Sequence, residues 1–244
     1  MKRVVAIALL VMAALVQQGA AASQEHRISL KTSDHVTVYA WFRSAGKDAP
    51  IVLLFHQADS SHHEYDTIAP HLNTAGYSTL AIDQRAGGTM YGQNLTAGQF
   101  TGQQSYLSAL PDLIAAADWA HGRSPAVIAW GSSYSASLVF LLAARRPYIS
   151  AVIAFSPGEY FDEKHVVRTA AARVTVPIFV DSAADPVEIA QAHSILAASP
   201  GKVRVQHVPH AGIHGSSTLI QSRDPDGATE NLNAVMAFLK KLTN

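Results

Sequence analysis

A serine set among small residues, between an apolar strand and an apolar helix, is placed to act as a nucleophile. The segment Trp130-Gly131-Ser132-Ser133-Tyr134-Ser135 has this setting. Residues 126–129 before it form an apolar β-like run, and residues 136–144 after it form an apolar helical run. Strand, tight turn and helix together describe a nucleophile elbow, with Ser133 at the apex in a strained backbone conformation. Bulk two positions to either side of the apex would collide with the adjoining strand and helix, hence the usual pattern G-x-S-x-G. Ser135 stands where the second glycine is usual. The alternative reading of the segment is an ordinary serine-rich turn.

A serine hydroxyl attacks a carbonyl well only when a base takes its proton and a third group holds that base. An elbow therefore predicts an acid and a histidine downstream, each at the carboxyl end of a strand and in that order. The apolar run 176–180 leads into Asp181-Ser182-Ala183-Ala184-Asp185-Pro186. The run 203–208 leads into Pro209-His210-Ala211-Gly212-Ile213-His214-Gly215. Both loops fall where the chemistry needs them. The first offers Asp181 and Asp185, the second His210 and His214, with His207 inside the preceding strand.

The elements that must position these residues can be read from periodicity. Residues 26–30 and 35–42 alternate apolar and polar side chains around a Thr32-Ser33-Asp34 turn, which reads as an antiparallel hairpin. Runs 51–55, 77–82, 126–129, 151–155, 176–180 and 203–208 read as buried strands. Helices are expected over about 62–75, 106–120, 136–144, 187–198 and 230–242, with Pro70 and Pro111 awkward in the first two. Strand alternating with helix gives an α/β fold, with a mainly parallel central sheet and helices on both faces. Active sites in such sheets gather at the carboxyl ends of the strands. The polar, glycine-rich stretch 84–104 is long for a loop in a compact domain. Its Tyr91, Gln93 and Asn94 either line a pocket or are solvated. Asn94-Leu95-Thr96 fits a glycosylation sequon by pattern alone.

Composition narrows the setting. Lys2 and Arg3, the apolar run 4–16 and Ala20-Ala21-Ala22 have the layout of a cleavable export signal over residues 1–22. Residues 23–244 are then one domain, periplasmic or secreted. Of 244 residues none is cysteine, which excludes disulfides. The 18 basic and 18 acidic residues balance, and without Lys2 and Arg3 the ratio is 16 to 18, a net charge of −2. That gives no electrostatic case for nucleic acid or an anionic membrane as partner. His56, His62, His63, His207, His210 and His214 invite a zinc reading, but their spacings match no zinc motif, and no metal or other cofactor is expected.

With the elbow, the two loops and the strand order in hand, the chain resembles the α/β-hydrolases, and in particular the small, lidless, dienelactone-hydrolase-like serine esterases. The resemblance covers nearly all of residues 23–244. It implies Asp185 as the acid, because the family's acid lies in a small-residue turn often ending Asp-Pro, and His214 as the base, because the family's histidine often precedes glycine. It implies an oxyanion hole built from the backbone amides of Tyr134 and of the loop His56-Gln57-Ala58, where similar proteins read His-Gly-x. Ala58 takes the position of x. Gln57 replaces the glycine, and its own amide or side chain is the alternative. His56 would brace this loop. Asp83 and Arg85, in a stretch resembling Asp-x-Arg-Gly, would pin a glycine turn beside the site. Tyr160, after another strand, would contribute with Gln57 to substrate binding. About 20 residues separate the fourth and fifth strands of the parallel set, too few for a lid domain, so an open site for small or soluble esters is expected. Peptidase or amidase activity on the same triad is the rival within the class. A catalytically silent binding protein on the same fold is the rival outside it.

Overall fold

The expected hairpin opens the sheet. In this computed structural model, which describes residues 24–242, β1 (Glu25–Lys31) and β2 (Thr37–Arg43) pair antiparallel. The leader expected over residues 1–22 lies outside the described residues. The continuous apolar runs become β3 (Ile51–Phe55), β4 (Ser78–Ile82), β5 (Val127–Ser132), β6 (Ile149–Phe155), β7 (Ile178–Asp181) and β8 (Arg204–Gln206). The eight strands lie in the order β1-β2-β4-β3-β5-β6-β7-β8, and every pairing from β4 to β8 is parallel. β2 joins β4 antiparallel.

Helices cover both faces because the strand side chains alternate between them. Ile51, Leu53 and Phe55 of β3 face one apolar cluster, together with α2 (Leu110–His121), α3 (Tyr134–Ala143), α4 (Val166–Ala171) and α5 (Pro186–Ala198). Val52 and Leu54 face the other, together with α1 (Ala69–Thr74) and α6 (Ala228–Leu242). Tyr134 to Leu142 are all buried, which explains why α3 is apolar all round. This is the α/β-hydrolase fold. Among the described residues no lid domain interrupts it; the segment between β6 and β7 holds only the short α4, which the sequence reading missed.

Three expectations need correction. The helix expected over 62–75 is split into a 3₁₀ turn, His62–Tyr65, and α1, with Pro70 in the first turn of α1. Proline lacks an N–H and is tolerated only where a helix begins. Pro111 likewise starts α2, behind a 3₁₀ turn at Tyr106–Ala109. The run 203–208 is not a buried strand. β8 is the sheet edge, and Val203, Val205 and Val208 are exposed. An apolar run alone does not distinguish an edge strand from an interior one.

Candidate active site

The carboxyl ends of β3, β5, β6 and β7 meet at Ser133. Its φ is 58° and its ψ −122°, the strained conformation expected of an elbow apex, and its N–H is held by the Phe155 carbonyl at 2.8 Å. Gly131 is demanded by contact: a Cβ there would stand 2.2 Å from the Ser135 carbonyl oxygen. Ser135 fits its own position and works there. Its hydroxyl donates to the His56 carbonyl at 2.6 Å and accepts from Gln84 Nε2 at 2.6 Å. The departure from glycine thus ties the start of α3 to the loop after β3.

His214 brings its Nε2 to 2.8 Å from Ser133 Oγ. Its Nδ1 lies 2.8 Å from a carboxylate, but that carboxylate is Glu188 and not Asp185. Asp185 is the N-cap of α5, where its side chain accepts from the N–H groups of Val187 at 2.9 Å and Glu188 at 3.1 Å. The free amides of a helix start bind such a carboxylate strongly, and Pro186 at the first helical position fixes the geometry. Asp185 is thereby turned to solvent, and Glu188, one turn further, reaches the imidazole. Glu188 Oε2 also accepts from the Ala183 N–H at 3.1 Å. Burial works to raise its pKa, but hydrogen bonds from His214 and Ser156, the His214 charge and the Ala183 amide outweigh it and hold the group at about 2. Glu188 therefore stays ionised. The network assigns the His214 tautomer: Nδ1 donates to Glu188 and Nε2 accepts from Ser133.

The rival residues have other partners. Asp181 is buried, its Oδ1 accepting only from the Ser182 N–H and its Oδ2 left without a partner. Burial, with Glu230 and Asp224 adding to it, pushes it up to about 8. His210 is exposed and paired with Glu230 at 3.0 Å, while His207 contacts Asn231 at 3.1 Å and stacks on Phe179. His62 and His63 sit on Asp83 and Asp66. Among the described residues no three His, Cys, Asp or Glu are grouped to hold a metal.

The loop after β3 lines the same cleft as Ser133. The Gln57 N–H is committed to Glu64 at 2.8 Å. Ala58 remains, and it lines with Gln57, Asp59, Met90, Ser133, His214 and Arg223 a cleft of about 350 Å³. Tyr134, the first residue of α3, has an N–H with no intrahelical acceptor, at the positive end of the helix dipole. Ala58 thus lines the cleft with Ser133, and Tyr134 follows Ser133 in the chain. The Gln57 side chain lines the cleft and donates to Met90 Sδ at 3.2 Å. Tyr160 is not in the Ser133 cleft. Its hydroxyl donates to the Ser156 carbonyl at 2.9 Å, its ring stands edge-on to His214 at 6.5 Å, and it walls a separate cavity of about 310 Å³ between α4 and α5.

His56 is the brace it was expected to be. It is fully buried; its Nδ1 contacts the Gln57 carbonyl at 2.7 Å and its Nε2 accepts from the Gln84 N–H at 2.9 Å. Burial pulls it down to about 4, so it stays neutral. Asp83 and Arg85 do not pair with each other. Asp83 holds His62 and the Leu95 N–H, and Arg85 bridges Asp112 and Asp34. Asn94 is buried and donates to the Ser60 and Gln84 carbonyls, so the sequon asparagine is a structural clamp of the long loop. Tyr91 contacts Ser217 at 2.6 Å instead of lining the cleft.

Sequence reasoning missed Glu188 and Glu64, and it placed Ser156 only in a stretch, 156–161, that could form part of the acyl pocket. Asp185-x-x-Glu188 has the spacing of a helix-start signature, which explains a glutamate there without any chemistry. Ser156 has a φ of 55°, and its hydroxyl accepts from the Gly215 N–H at 2.9 Å.

Residues 46–211, more than half of the chain, match the family described as serine aminopeptidase, S33. No curated protein sequence matches the chain. Similar solved structures include an esterase of Pyrococcus furiosus, with 19% identity and a TM-score of 0.68 over 91% of this chain and 92% of that one. A dienelactone hydrolase of Anabaena variabilis has 19% identity and a TM-score of 0.69 over 91% and 97%. Est1E of Butyrivibrio proteoclasticus, with ferulic acid bound, has 16% identity and a TM-score of 0.66 over 88% and 99%. At these identities the likeness is one of fold.

Proposed function

Because this chain belongs to the serine aminopeptidase S33 family and is a serine hydrolase, we propose that it hydrolyses small or soluble carboxylic esters through Ser133, His214 and Glu188, outside the cytoplasm. The observation that carries this reading is the unbroken contact from Ser133 Oγ to His214 Nε2 and from His214 Nδ1 to Glu188, with Ser133 at an elbow apex.

Ser133 Oγ attacks the ester carbonyl carbon as His214 Nε2 takes its proton. The imidazolium that forms is stabilised by Glu188. The carbonyl oxygen becomes an oxyanion facing the N–H groups of Tyr134 and Ala58. The tetrahedral intermediate collapses, the C–O bond to the alcohol breaks, and His214 returns its proton to the leaving oxygen. Water then attacks the acyl-enzyme by the same route and releases the acid. No step calls for a cofactor.

The absence of a lid domain among the described residues supports an open site for soluble substrates. The leader pattern over residues 1–22 supports export. Aminopeptidase activity is the second reading. It is favoured by the family's description and by Asp59 in the cleft, a carboxylate able to receive a peptide's α-amino group. Fluorophosphonate labelling, followed by rates on p-nitrophenyl esters and on aminoacyl arylamides, tests both. Labelling lost in Ser133→Ala together with faster ester turnover supports the proposal. Faster arylamide turnover selects the peptidase, and a protein that never labels is a silent binder.

A further inference from the structure

Glu64 is a fully buried carboxylate on the 3₁₀ turn His62–Tyr65, and the chemistry above does not use it. Its oxygens are divided between two loops. Oε2 accepts the Gln57 N–H at 2.8 Å, and Oε1 accepts the Ser132 hydroxyl at 2.7 Å. Ser132 Oγ in turn accepts the N–H of Ser216, two residues past His214, at 2.8 Å. The loop carrying Ala58, the residue before the nucleophile and the loop carrying His214 therefore converge on one carboxylate. Among the described residues no lysine or arginine forms an ion pair with it. A buried carboxylate held only by neutral donors is costly, and an apolar side chain would fill the space more stably. What an apolar side chain cannot do is accept the Gln57 N–H, and Gln57 is bonded directly to Ala58, which lines the cleft beside Ser133.

Building on the serine-hydrolase reading, we propose that Glu64 is a positioning residue that sets the Ala58 amide against Ser133 and couples that alignment to the elbow and the His214 loop through Ser132. Burial pushes its pKa up to about 7, against the pull of the Gln57 and Ser132 hydrogen bonds and the His214 charge. The other titratable groups facing it are Tyr65 on its own turn, Tyr134 from α3 and His214 across the site. Both tyrosines are buried and pushed further up, so they stay neutral. Below neutrality, then, protonation turns an oxygen of Glu64 into a donor and loosens its hold on Gln57 or Ser132.

The test is the pH dependence of p-nitrophenyl acetate hydrolysis by Glu64→Gln. A kcat lowered by about 10- to 100-fold with KM within about twofold is expected, since oxyanion donors act on the transition state. The acid limb of log(kcat/KM) should also lose the step near neutrality that protonation of Glu64 contributes in wild type. Wild-type kcat, or a loss uniform at every pH with the shape of the acid limb unchanged, overturns the proposal. If Glu64→Gln does not fold, Ser132→Ala decides. Removing one donor from Glu64 should move the Glu64 step of the acid limb to higher pH, and an unmoved limb overturns the proposal. Ser133→Ala run in parallel keeps the two readings apart. Activity in that variant ends the serine-hydrolase reading and this one with it. Its inactivity beside a Glu64→Gln that behaves as wild type overturns this one alone.

Discussion

Glu188 Oε1 lies 2.8 Å from His214 Nδ1, while Asp185, three residues earlier, spends its carboxylate on the first amides of α5. The two acids occupy one short loop and one helical turn, yet only one can both face the imidazole and be held there by the Ala183 amide.

The first prediction separates them. Glu188→Gln is expected to lower kcat/KM by about 10³- to 10⁴-fold, because an amide no longer enforces the tautomer that leaves Nε2 free to accept. Asp185→Ala is expected to keep the rate within about tenfold and to cost about 1 kcal/mol of stability through the lost cap. Steady-state kinetics and urea melts on both variants check this. A reversed ranking in rate restores Asp185 as the acid.

The second prediction concerns the elbow. Ser133→Ala is expected to lower turnover by about 10⁴- to 10⁶-fold. Ser132→Ala keeps the nucleophile and loses only a buried hydrogen-bond link, so its cost is expected to stay below about tenfold. Equal losses in the two variants, with circular dichroism showing both folded, would sink the assignment of Ser133.

Much of this arrangement was legible in the sequence, for a physical reason. Buried parallel strands are apolar along their whole length, so β3 is read to the residue and β4 to within one, and the elbow is marked by Gly131 because backbone contact there excludes any Cβ. Ser133 follows from the elbow, while position along the chain leaves His210 beside His214 and only the family resemblance separates them. Glu188 follows from none of these. Its role depends on which face of α5 looks toward His214, and that is settled by the cap at Asp185 and not by distance from a strand end. β8 was misread because Val203, Val205 and Val208 are as apolar as a buried run but lie on the sheet edge.

The third prediction tests the missing second glycine. Restoring the usual pattern with Ser135→Gly removes hydrogen bonds to the His56 carbonyl and from Gln84, and places a glycine in the first turn of α3. A loss of about 2 to 3 kcal/mol is expected from two hydrogen bonds and the helix penalty together. Urea denaturation measures it. A variant as stable as the parent would show that the hydroxyl contributes nothing to joining the two loops.

The fourth prediction concerns export. If the small-residue pattern at Ala20-Ala21-Ala22 is cut as an export signal, the mature amino terminus is Ser23. Expressed in full in a Gram-negative host, the protein is expected in the periplasm or medium with the intact mass of residues 23–244. Full-length chain retained in the membrane fraction would instead identify the apolar run 4–16 as an anchor.

The last prediction uses Asp181, the carboxylate at the end of β7 that the His214 loop does not reach. Its Oδ2 has no partner, and burial, with Glu230 and Asp224 adding to it, raises it from 3.8 to about 8 in the folded protein. A raised carboxyl favours the folded state most when it is protonated. That contribution is complete below the unfolded value near 3.8 and is lost as the pH climbs through about 8, where folding requires an unpaired buried charge. Asp181→Asn keeps the shape and the Ser182 contact but cannot ionise. The variant is expected to melt close to wild type at pH 4 and above it at pH 9, with the gap opening between those values. Its ester turnover is expected to stay near wild type, because Asp181 touches neither His214 nor Ser133. Thermal melts across that range, with kcat/KM measured at neutral pH, decide the matter. A rate collapse in Asp181→Asn would place the acid at the strand end after all, and parallel melting curves at every pH would show that Asp181 is ionised and solvated in the folded protein.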